Sequence, residues 1–274
     1  MTYILTALYH EAKPYIEMLQ LKREIAVGNI QLFRNNDYML SIGGAGSVAA
    51  TVATVYLLTR YPPGSHDLFV NVGTAGSKNF HIGEVVLCHK IVNTFTRKEF
   101  YPEMLYKHPF REGILGSVGN PASDSVYDLA DMEGAFVFEA AQTFFKTTQV
   151  YCIKTVSDHL CSESVTGKSI EKLMSGSVEI VCRWLGSIAE QSKPYELLSD
   201  EEKCLLESLN ENLKLTFAMR QILLQECRKA KLRQVDLVEI LMQTQEVKPK
   251  GKDESKVALT KLIKSLNTVG QNDI

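Results

Sequence analysis

Short apolar segments alternate with helical patterns through the first 190 residues, and this alternation constrains the fold more than any other feature of the sequence. The strand candidates are residues 3–8, 30–33, 38–42, 68–72, 84–91 and 150–156. The helix candidates are residues 11–21, 47–59, 132–145 and 170–188. Because strands that alternate with helices pack as layers, the pattern predicts an α/β fold.

The composition changes near Pro194, which predicts an α/β domain at residues 1–194 and a C-terminal all-helical extension at residues 195–274. The chain has 17 glycines, and only two of them lie in the extension. Within it, Ser199 and Glu202 have the spacing of a capping box, a signature of a helix N-terminus. We expect these helices to pack on the domain or on a second subunit, or to bind a partner protein.

The overall composition excludes several classes of protein. The formal net charge is −2 and 45% of the residues are hydrophobic, as in an ordinary globular chain. This excludes a disordered chain and a strongly basic nucleic-acid binder, so no nucleic-acid partner is expected. No apolar run reaches the ~18–20 residues of a membrane span, and the N-terminus lacks a basic leader. We therefore expect no membrane partner. The six cysteines include no Cys-x-x-Cys pair, so we expect reduced thiols and a cytoplasmic protein.

Motifs typical of cofactor and metal sites occur only in unsuitable contexts. Residues 44–49 match the dinucleotide fingerprint G-x-G-x-x-A, but Asp67, the acid that should end the next strand, precedes that strand. Residues 166–169 resemble the end of a phosphate loop, but Ser162 stands where that loop needs a glycine. The six histidines show no spacing typical of metal ligands. We therefore expect neither a cofactor nor a metal.

Polar clusters stand at four strand ends or helix starts. They are residues 10–11, 73–76, 131–133 and 157–158. Ligands of open α/β sheets bind outside the carboxyl ends of the strands, where these clusters would meet. Acids held apart in such a crevice can divide general acid and base roles, although acids also cap helices there. The spacing alone leaves both interpretations open.

Six short motifs include these clusters and occur in the order of a known family. They are TALYHEAKP at 6–14, SIGGAGSVAAT at 41–51, NVGTAGS at 71–77, GEVVL at 83–87, DMEG at 131–134 and KTVSD at 154–158. Through them, about residues 1–190 resemble the nucleoside phosphorylase superfamily, and within it the 5′-methylthioadenosine/S-adenosylhomocysteine nucleosidases and the futalosine hydrolases. The resemblance implies a three-layer phosphorylase-like α/β fold around a twisted mixed sheet.

The resemblance also implies a reaction, the hydrolysis of the N-glycosidic bond of a purine-type nucleoside to a free base and a ribose derivative. Asp158 would help to protonate the purine at N7 as the base departs, and Ser157 would hold that carboxyl group. Glu11 would position and activate the attacking water. Carboxylates near the sugar suit an oxocarbenium-like transition state, because they stabilise its positive charge.

Further residues would bind the substrate if the resemblance holds. Glu133 would accept hydrogen bonds from the ribose hydroxyls, and Met132 would pack against the sugar. Thr74, next to Gly73 in the second glycine motif, would stand near the attacking water or phosphate. Main-chain N–H groups of the first glycine motif, which contains Gly44, would face the same space. Lys154 stands where the family usually has an arginine. A lysine keeps the positive charge but lacks the planar guanidinium group that can donate two parallel hydrogen bonds.

The first loop favours water over phosphate as the nucleophile. Phosphorylases of the family bind phosphate there with a Gly-Asp-Pro-x-Arg element, whereas residues 8–12 read LYHEA. A glutamate at this place would repel phosphate, so hydrolysis is preferred and phosphate-dependent phosphorolysis is the alternative. Family members are usually dimers or trimers of dimers in which a neighbour touches the active site. We therefore expect a homodimer.

Residues 91–129 form a much shorter segment than the family has at the place that carries the base pocket. The aromatic candidates for stacking on the base are Phe95, Tyr101, Tyr106 and Phe110, and each also suits ordinary packing. The candidates for contacting a substrate carboxylate or phosphate are Arg97, His108 and Arg111. This shortening supports a third interpretation, a catalytically weak nucleoside sensor whose helical extension binds a partner.

Overall fold

The structure is a computed structural model, and the chain in it separates into two compact units. It describes residues 1–24, 28–120, 125–160, 165–192, 197–245, 247–249 and 251–268. Contacts within the chain define the units as Met1–Lys193 and Pro194–Ile274.

The first unit alternates strands with helices. Its elements are β1 (Thr2–Thr6), α1 (Tyr9–Met18), β2 (Lys22–Glu24), β3 (Gln31–Arg34), β4 (Tyr38–Ile42), α2 (Ser47–Arg60), β5 (Leu68–Gly76), β6 (Val85–Asn93), β7 (Glu99–Phe100), β8 (Arg111–Ser117), β9 (Leu129–Asp131), α3 (Gly134–Ala141), β10 (Val150–Asp158) and α4 (Gly167–Gln191). A 3₁₀ turn at Thr147–Gln149 leads into β10.

The strands of the described part of this unit, ten in number, form one mixed sheet. Their order is β10-β6-β8-β9-β5-β1-β4-β3-β2, with β7 paired to β6. An additional pairing joins β10 to β5, so β5, β10, β6, β8 and β9 close into a ring. Because β1, β4 and β10 are linked to β5 through parallel pairings, the carboxyl ends of these four strands lie at one edge of the sheet.

Helices cover both faces of the sheet. One apolar core contains Leu57 of α2 and Phe138 of α3, together with strand residues such as Phe69. The other contains Tyr15 of α1 and Trp184 of α4. Successive β5 side chains enter alternate cores, as the period of two in a strand requires. The result is the expected three-layer α/β architecture.

Local turn chemistry confirms the hairpin that the sequence predicts at residues 30–42. Strands β3 and β4 pair antiparallel, with Arg34 opposite Met39. Between them, Asn35 Oδ1 accepts hydrogen bonds from the backbone N–H groups of Asp37 at 2.9 Å and Tyr38 at 2.8 Å. This arrangement is an Asx turn, which explains why asparagine suits the position.

Strand β5 continues further than its apolar sequence indicates. The apolar pattern predicts a strand over residues 68–72 only, but residues 73–76 are the last four residues of β5 and pair with β10 as far as Asp158. The two glycines leave room that side chains would fill. A Cβ at Gly76 would lie 2.7 Å from Leu160 Cδ2, and one at Gly73 would lie 3.1 Å from Glu11 Oε1. The small residues thus bring the strand close to the groups at its end.

The second unit is helical in its described residues. Its helices are α5 (Asp200–Asn212), α6 (Phe217–Leu232), α7 (Leu237–Gln245) and α8 (Lys252–Thr268), packed around a leucine-rich core. The capping box is present at α5, where the Ser199 hydroxyl accepts from Glu202 N at 3.2 Å and the Glu202 carboxylate accepts from Ser199 N at 2.7 Å.

Two further observations concern the described residues as a whole. Among them, every helix is too short or too polar to cross a bilayer. The five cysteines in the described ranges are free, and Cys88, Cys152 and Cys227 are buried. Cys161 lies outside those ranges.

Candidate active site

A cavity of about 250 Å³ lies where the polar ends of several strands meet in the first unit. Ala7 follows β1, Thr74 lies near the end of β5, Asp131 ends β9 and Asp158 ends β10. Each of the four polar clusters in the sequence contributes to the wall. Six predicted site residues line the cavity, namely Glu11, Thr74, Met132, Glu133, Ser157 and Asp158.

Glu11 is held by four hydrogen-bond donors at the beginning of α1. Its Oε2 accepts from Ala7 N at 3.0 Å and from Leu8 N at 2.9 Å. Its Oε1 accepts from Thr74 N at 2.8 Å and from Thr74 Oγ1 at 2.9 Å. A carboxylate has about four acceptor positions, so all of them are occupied. The Thr74 hydroxyl oxygen can still accept a hydrogen bond from a water in the cavity.

Gly73 and Gly44 shape the wall without lining the cavity themselves. Gly73 admits the Glu11 carboxylate beside β5, as described above. Gly44 has φ +93°, a conformation that glycine adopts at little cost. It leads the chain to Ala45, which does line the cavity, and to Gly46 at the N-terminus of α2.

Ser157 fixes the carboxyl group of Asp158 at the end of β10. The Ser157 hydroxyl donates to Asp158 Oδ2 at 2.6 Å and lies 3.3 Å from the carbonyl oxygen of Ala75. A Cβ at Gly76 would lie 3.1 Å from Asp158 Oδ1. The absent side chain at Gly76 therefore leaves space for the carboxyl group at the cavity wall.

Glu133 connects the beginning of α3 to that of α2. Its Oε1 accepts a hydrogen bond from Gly46 N at 2.6 Å, across 87 residues of sequence. The pKa of Glu133 is raised to about 6, first by burial and then by the neighbouring Asp131 carboxylate. The Gly46 N–H group and the Lys154 ammonium oppose this shift. At neutral pH, Glu133 is therefore ionised and accepts hydrogen bonds.

Lys154 belongs to a buried network behind the cavity wall. Its Nζ lies 2.9 Å from Asp131 Oδ2 and donates to Asn71 Oδ1 at 2.8 Å. Asp131 also accepts from Ser117 Oγ at 2.6 Å and from Gly134 N at 2.8 Å. Burial, the largest single effect, lowers the pKa of Lys154, but Asp131, Cys152 and Glu133 together outweigh it and the pKa is raised. Lys154, predicted as a substrate contact, is not among the lining residues of the cavity, and its ammonium contacts Asp131.

Asp131 and Asn71 are site-supporting residues that the sequence reasoning missed. A signal existed, because Asp131 belongs to the polar cluster at residues 131–133 and Lys154 begins the motif at residues 154–158. Asn71 gave no such signal, since it stands inside an apolar strand.

The Lys154–Asp131 pair should contribute strongly to stability, because both side chains are almost fully buried. We expect Lys154→Met to lower the free energy of unfolding by about 3 kcal/mol, since it leaves a buried carboxylate without its counter-charge. Urea denaturation followed by circular dichroism measures this change. The double variant with Asp131→Asn should recover part of the loss. An effect no larger than that of Lys13→Met, which breaks a half-exposed pair with Glu171, would contradict the expectation.

The remainder of the cavity wall is apolar. Leu8, Val118, Leu160, Val165 and Ile170 contribute to it. None of the four aromatic candidates for base stacking is among its lining residues in the described ranges. Phe110 stacks on His108 and packs against Trp184, whereas Tyr101 lies over the Lys90 ammonium. Phe95 is exposed and lies near Phe136, and Tyr106 packs on the core of the Trp184 face.

The cationic candidates for substrate contact also lie elsewhere. Arg111 pairs with Glu84 at 3.6 Å, and His108 lies 3.3 Å from Glu112. Arg97 is exposed in the turn after β6. Within the part of the chain that the structure describes, no group of three or more metal-ligating side chains occurs.

Comparison of structures places the fold among the nucleosidases. A mutant of the Helicobacter pylori 5′-methylthioadenosine/S-adenosylhomocysteine nucleosidase, with 5′-methylthioadenosine in its active site, matches with a TM-score of 0.55 and 17% sequence identity. The match covers 68% of this chain and 98% of that one. Futalosine hydrolase of Helicobacter pylori matches with a TM-score of 0.55 and 18% identity over 68% and 97% of the chains.

A plant enzyme gives a similar result. The 5′-methylthioadenosine nucleosidase of Arabidopsis thaliana matches with a TM-score of 0.57 and 18% identity, over 68% of this chain and 95% of that one. No family model matches the sequence, and no curated protein matches it. The comparisons confirm the phosphorylase-like fold that the six motifs implied.

Proposed function

We propose that the protein hydrolyses the N-glycosidic bond of a purine-type nucleoside and releases the free base and a ribose derivative. One observation carries the proposal: Glu11, Glu133 and Asp158 surround a single cavity in a fold shared with nucleosidases. Fold alone does not assign chemistry, so the argument depends on what these carboxyl groups do there.

Asp158 acts on the leaving group in this proposal. As the glycosidic bond breaks, electrons move onto the purine, and a proton at N7 makes the base a better leaving group. Asp158 supplies or shares that proton, and Ser157 positions its carboxyl group through the 2.6 Å hydrogen bond. Positioned proton transfer of this kind contributes about 10²–10⁴-fold to rate.

Glu133 binds the sugar and Met132 packs against it. The carboxylate has one oxygen on Gly46 N, so the other oxygen is available to accept from ribose hydroxyls. As positive charge develops on the sugar ring, this carboxylate and that of Glu11 stabilise it electrostatically. The fixed position of Glu133 means that little reorganisation is needed during the reaction.

The raised pKa of Glu133 predicts an acid limit to substrate capture. Protonated Glu133 cannot serve as a double acceptor, so kcat/KM should fall about tenfold per pH unit below about pH 6. A pH profile of kcat/KM measures this. This fall in kcat/KM below about pH 6 should be absent in Glu133→Gln, whose activity is lower than that of the wild type but does not depend on this proton. If the variant shows the same fall, another group is responsible for it.

Thr74 positions the attacking water, and Glu11 acts through it. Since all acceptor positions of the Glu11 carboxylate are occupied, a water reaches the carboxylate through the Thr74 hydroxyl. The water donates a proton to Thr74 Oγ1 as that hydroxyl passes its own proton to Glu11 Oε1. The oxygen of the water then bonds to the anomeric carbon while the base departs.

The same arrangement favours hydrolysis over phosphorolysis. The backbone N–H groups of Ala7 and Leu8 lie directly before α1, and N–H groups at a helix N-terminus are natural phosphate ligands. Here they donate to Glu11, so the carboxylate fills the place of a phosphate and would repel one nearby. Phosphate dependence is accordingly not expected.

Release of free base from a nucleoside panel tests the proposal. The panel contains methylthioadenosine, adenosylhomocysteine, inosine, adenosine, futalosine and 5′-deoxyadenosine, each with and without phosphate, and chromatography quantifies the base. Release without phosphate supports hydrolysis. Release that requires phosphate would make the protein a phosphorylase. Nucleoside binding without release from any compound would favour a nucleoside sensor.

We further propose that the protein is a cytoplasmic homodimer. Its described cysteines are free, which fits a reducing compartment. Helix α2 exposes Val48, Val52 and Val55 along one face, with 76%, 54% and 42% of their surfaces accessible. An exposed apolar stripe on a helix is typical of a subunit contact. Because Gly46 at the start of this helix donates to Glu133, a contact here would adjoin the cavity.

Val52→Glu should therefore convert a dimer to a monomer. The side chain is half-exposed, so the charge should leave the fold of the subunit intact while it disfavours an apolar contact. Size-exclusion chromatography with light scattering measures the mass, and circular dichroism checks the fold. A wild-type protein that runs as a monomer would contradict the dimer, and a dimeric variant would exclude this face as its contact.

A further inference from the structure

We propose that the helical second unit of one chain binds the second unit of another copy, by placing an exposed ridge of α6 in a groove between α7 and α8. The ridge consists of Ala218, Ile222, Gln225 and Lys229. The groove has a volume of about 420 Å³ and is lined by residues of α7, of α8 and of the linker between them. Both surfaces follow Pro194 in the sequence, so the contact does not depend on the proposed catalytic activity.

The ridge is the solvent-exposed side of a helix whose other side packs in the core of its unit. Its residues are four, three and four positions apart, a spacing that places them on one side of an α-helix. All four are exposed, whereas Met219, Leu223 and Cys227 of the same helix are buried. Beside the ridge, Phe217 adds an apolar side chain that is 78% accessible. Helix α6 thus offers an apolar surface that ends in a cation.

The groove offers an apolar surface that ends in acids. Two of its lining residues, Ala258 and Leu262, are buried in α8, and a third, Val257, is 55% accessible. Asp253 and Glu254 line the groove where α8 begins, and both are exposed. An exposed apolar surface with polar residues at its rim is typical of a protein-interaction site.

The spacing of apolar and charged residues matches between the ridge and the groove. Seven residues, about 10 Å along a helix, separate Ile222 from Lys229. Eight residues, about 12 Å, separate Glu254 from Leu262, and Ala258 lies midway between them. When α6 lies antiparallel to α8 of the other copy, Lys229 meets the acids while Ile222 enters the groove beside Leu262.

Charge determines which helix fits the groove. A groove that ends in two acids favours an apolar helix that ends in a cation and disfavours one that ends in an acid. The Lys229 ammonium lies 2.8 Å from Glu226 Oε1 on its own helix, but a partly exposed pair of this kind contributes little and can exchange. Lys261, the cation of the groove, faces Gln221 in this arrangement, and the Gln221 amide oxygen can accept its hydrogen bond. One chain therefore carries both halves of a complementary contact.

A ridge and a groove on different helices form a heterologous contact, in which a bound copy keeps its other surface free. Further copies can therefore add as the protein concentration rises. The apolar area of the two surfaces is small, so we expect a weak association that is seen at high protein concentration. Salt should weaken it further, because exposed charges are paired across the contact.

Titration of the fluorescently labelled full chain with unlabelled protein tests the proposal. Ile222→Glu places an acid on the ridge and Val257→Glu places one in the groove. Each should weaken self-association at least about tenfold, because the contact would bury a carboxylate without a partner. Ile82→Glu is the matched control, since Ile82 is 54% accessible and lies in the first unit, and it should bind like the wild type. Circular dichroism checks the fold of each variant.

Charge reversal tests the same contact with its apolar residues in place. Lys229→Glu and Asp253→Lys should each weaken self-association, because like charges then meet at the end of the groove. The double variant restores an opposite pair and should bind more tightly than either single variant. A double variant as weak as the single ones would overturn the proposed orientation of the two helices.

A mixture of the two apolar variants gives the decisive result. Ile222→Glu keeps an intact groove and Val257→Glu keeps an intact ridge, so the mixture should recover an affinity within about threefold of the wild type. A contact through the exposed valines of α2 is present in every titration and cannot produce this recovery. A mixture that binds no more tightly than either variant alone would overturn the proposal, as would variants that bind as tightly as Ile82→Glu.

Discussion

Glu11→Gln is expected to lower kcat for base release at least about 100-fold, and as much as about 10⁴-fold, with a much smaller change in substrate affinity. The substitution keeps the size of the side chain and removes its charge. Steady-state kinetics on the best substrate of the panel measures kcat, and calorimetry measures affinity. Affinity should persist because the proposed ribose and base contacts lie on Glu133 and Asp158.

The physical reason lies in the four donors around this carboxylate. A glutamine has one carbonyl oxygen and one NH₂ group, so it can accept from the Ala7–Leu8 pair or from Thr74, but not from both. The other pair of donors then faces the glutamine NH₂ group, which is itself a donor and cannot accept from them. The variant thereby loses both the acceptor that draws a proton from the Thr74 hydroxyl and part of the local structure. A drop in stability of about 1–3 kcal/mol should accompany the kinetic loss.

Matched variants separate the chemical role from the structural one. Glu17→Gln changes the same residue type on the same helix at an exposed position and should leave both kcat and stability nearly unchanged. Thr74→Ser keeps the hydroxyl and should retain most activity. Thr74→Ala removes it and should lower kcat by about tenfold or more, although Thr74 N still donates to Glu11. Full activity in Glu11→Gln, or equal activity in the two Thr74 variants, would contradict the proposed path of the proton.

The local features of this fold were predictable because they depend on neighbours in sequence. The hairpin follows from Asn35, whose side chain accepts hydrogen bonds two and three residues further on. The capping box at Ser199 follows from a spacing of three residues. Helix α2 begins at Ser47, as predicted, directly after the small residues that turn the chain.

Strands β8 and β9 were not predicted, and their sequences explain why. Strand β8 reads REGILGS, with polar residues at its start and two glycines that weaken the pattern of a strand. Those glycines are required by packing, because a Cβ at Gly116 would lie 2.1 Å from Tyr127 Cδ2. Strand β9 has only three residues, too few for a pattern. The ring closes through the pairing of β5 with β10, two strands that lie about 80 residues apart in the sequence. No local sequence pattern predicts a pairing over that distance.

The candidate site likewise has features that the sequence predicts and features that it does not. Its acids were predictable from motifs at strand ends, and six of the nine predicted residues line the cavity. What each acid contacts was not predictable, because the donors come from distant segments. Gly46 N reaches Glu133 across 87 residues, and Lys154 reaches Asn71 across 83. Sequence patterns therefore identified the chemical groups, and the fold determined their partners.

Asp158→Asn is the second substitution from which a large loss is expected. It should lower kcat for an ordinary purine nucleoside by about 10²–10⁴-fold, because asparagine cannot transfer a proton to the departing base. The side chain keeps its size, and its amide oxygen can still accept from Ser157 Oγ, so the fold should be retained. Ser157→Ala keeps the acid but loses its 2.6 Å hydrogen bond, and a smaller loss of about tenfold is expected.

The dependence on the leaving group distinguishes proton transfer from a general disturbance of the cavity. An N7-methylated purine nucleoside already carries the positive charge that protonation would create, so its base departs without an acid. If Asp158 acts on N7, Asp158→Asn should slow cleavage of this compound far less than cleavage of the unmodified nucleoside. Equal loss on both compounds would assign Asp158 to binding or to the shape of the cavity. A selective loss on the unmodified nucleoside would also support the division of labour among the acids, since Glu11→Gln should slow both compounds alike because each needs the attacking water.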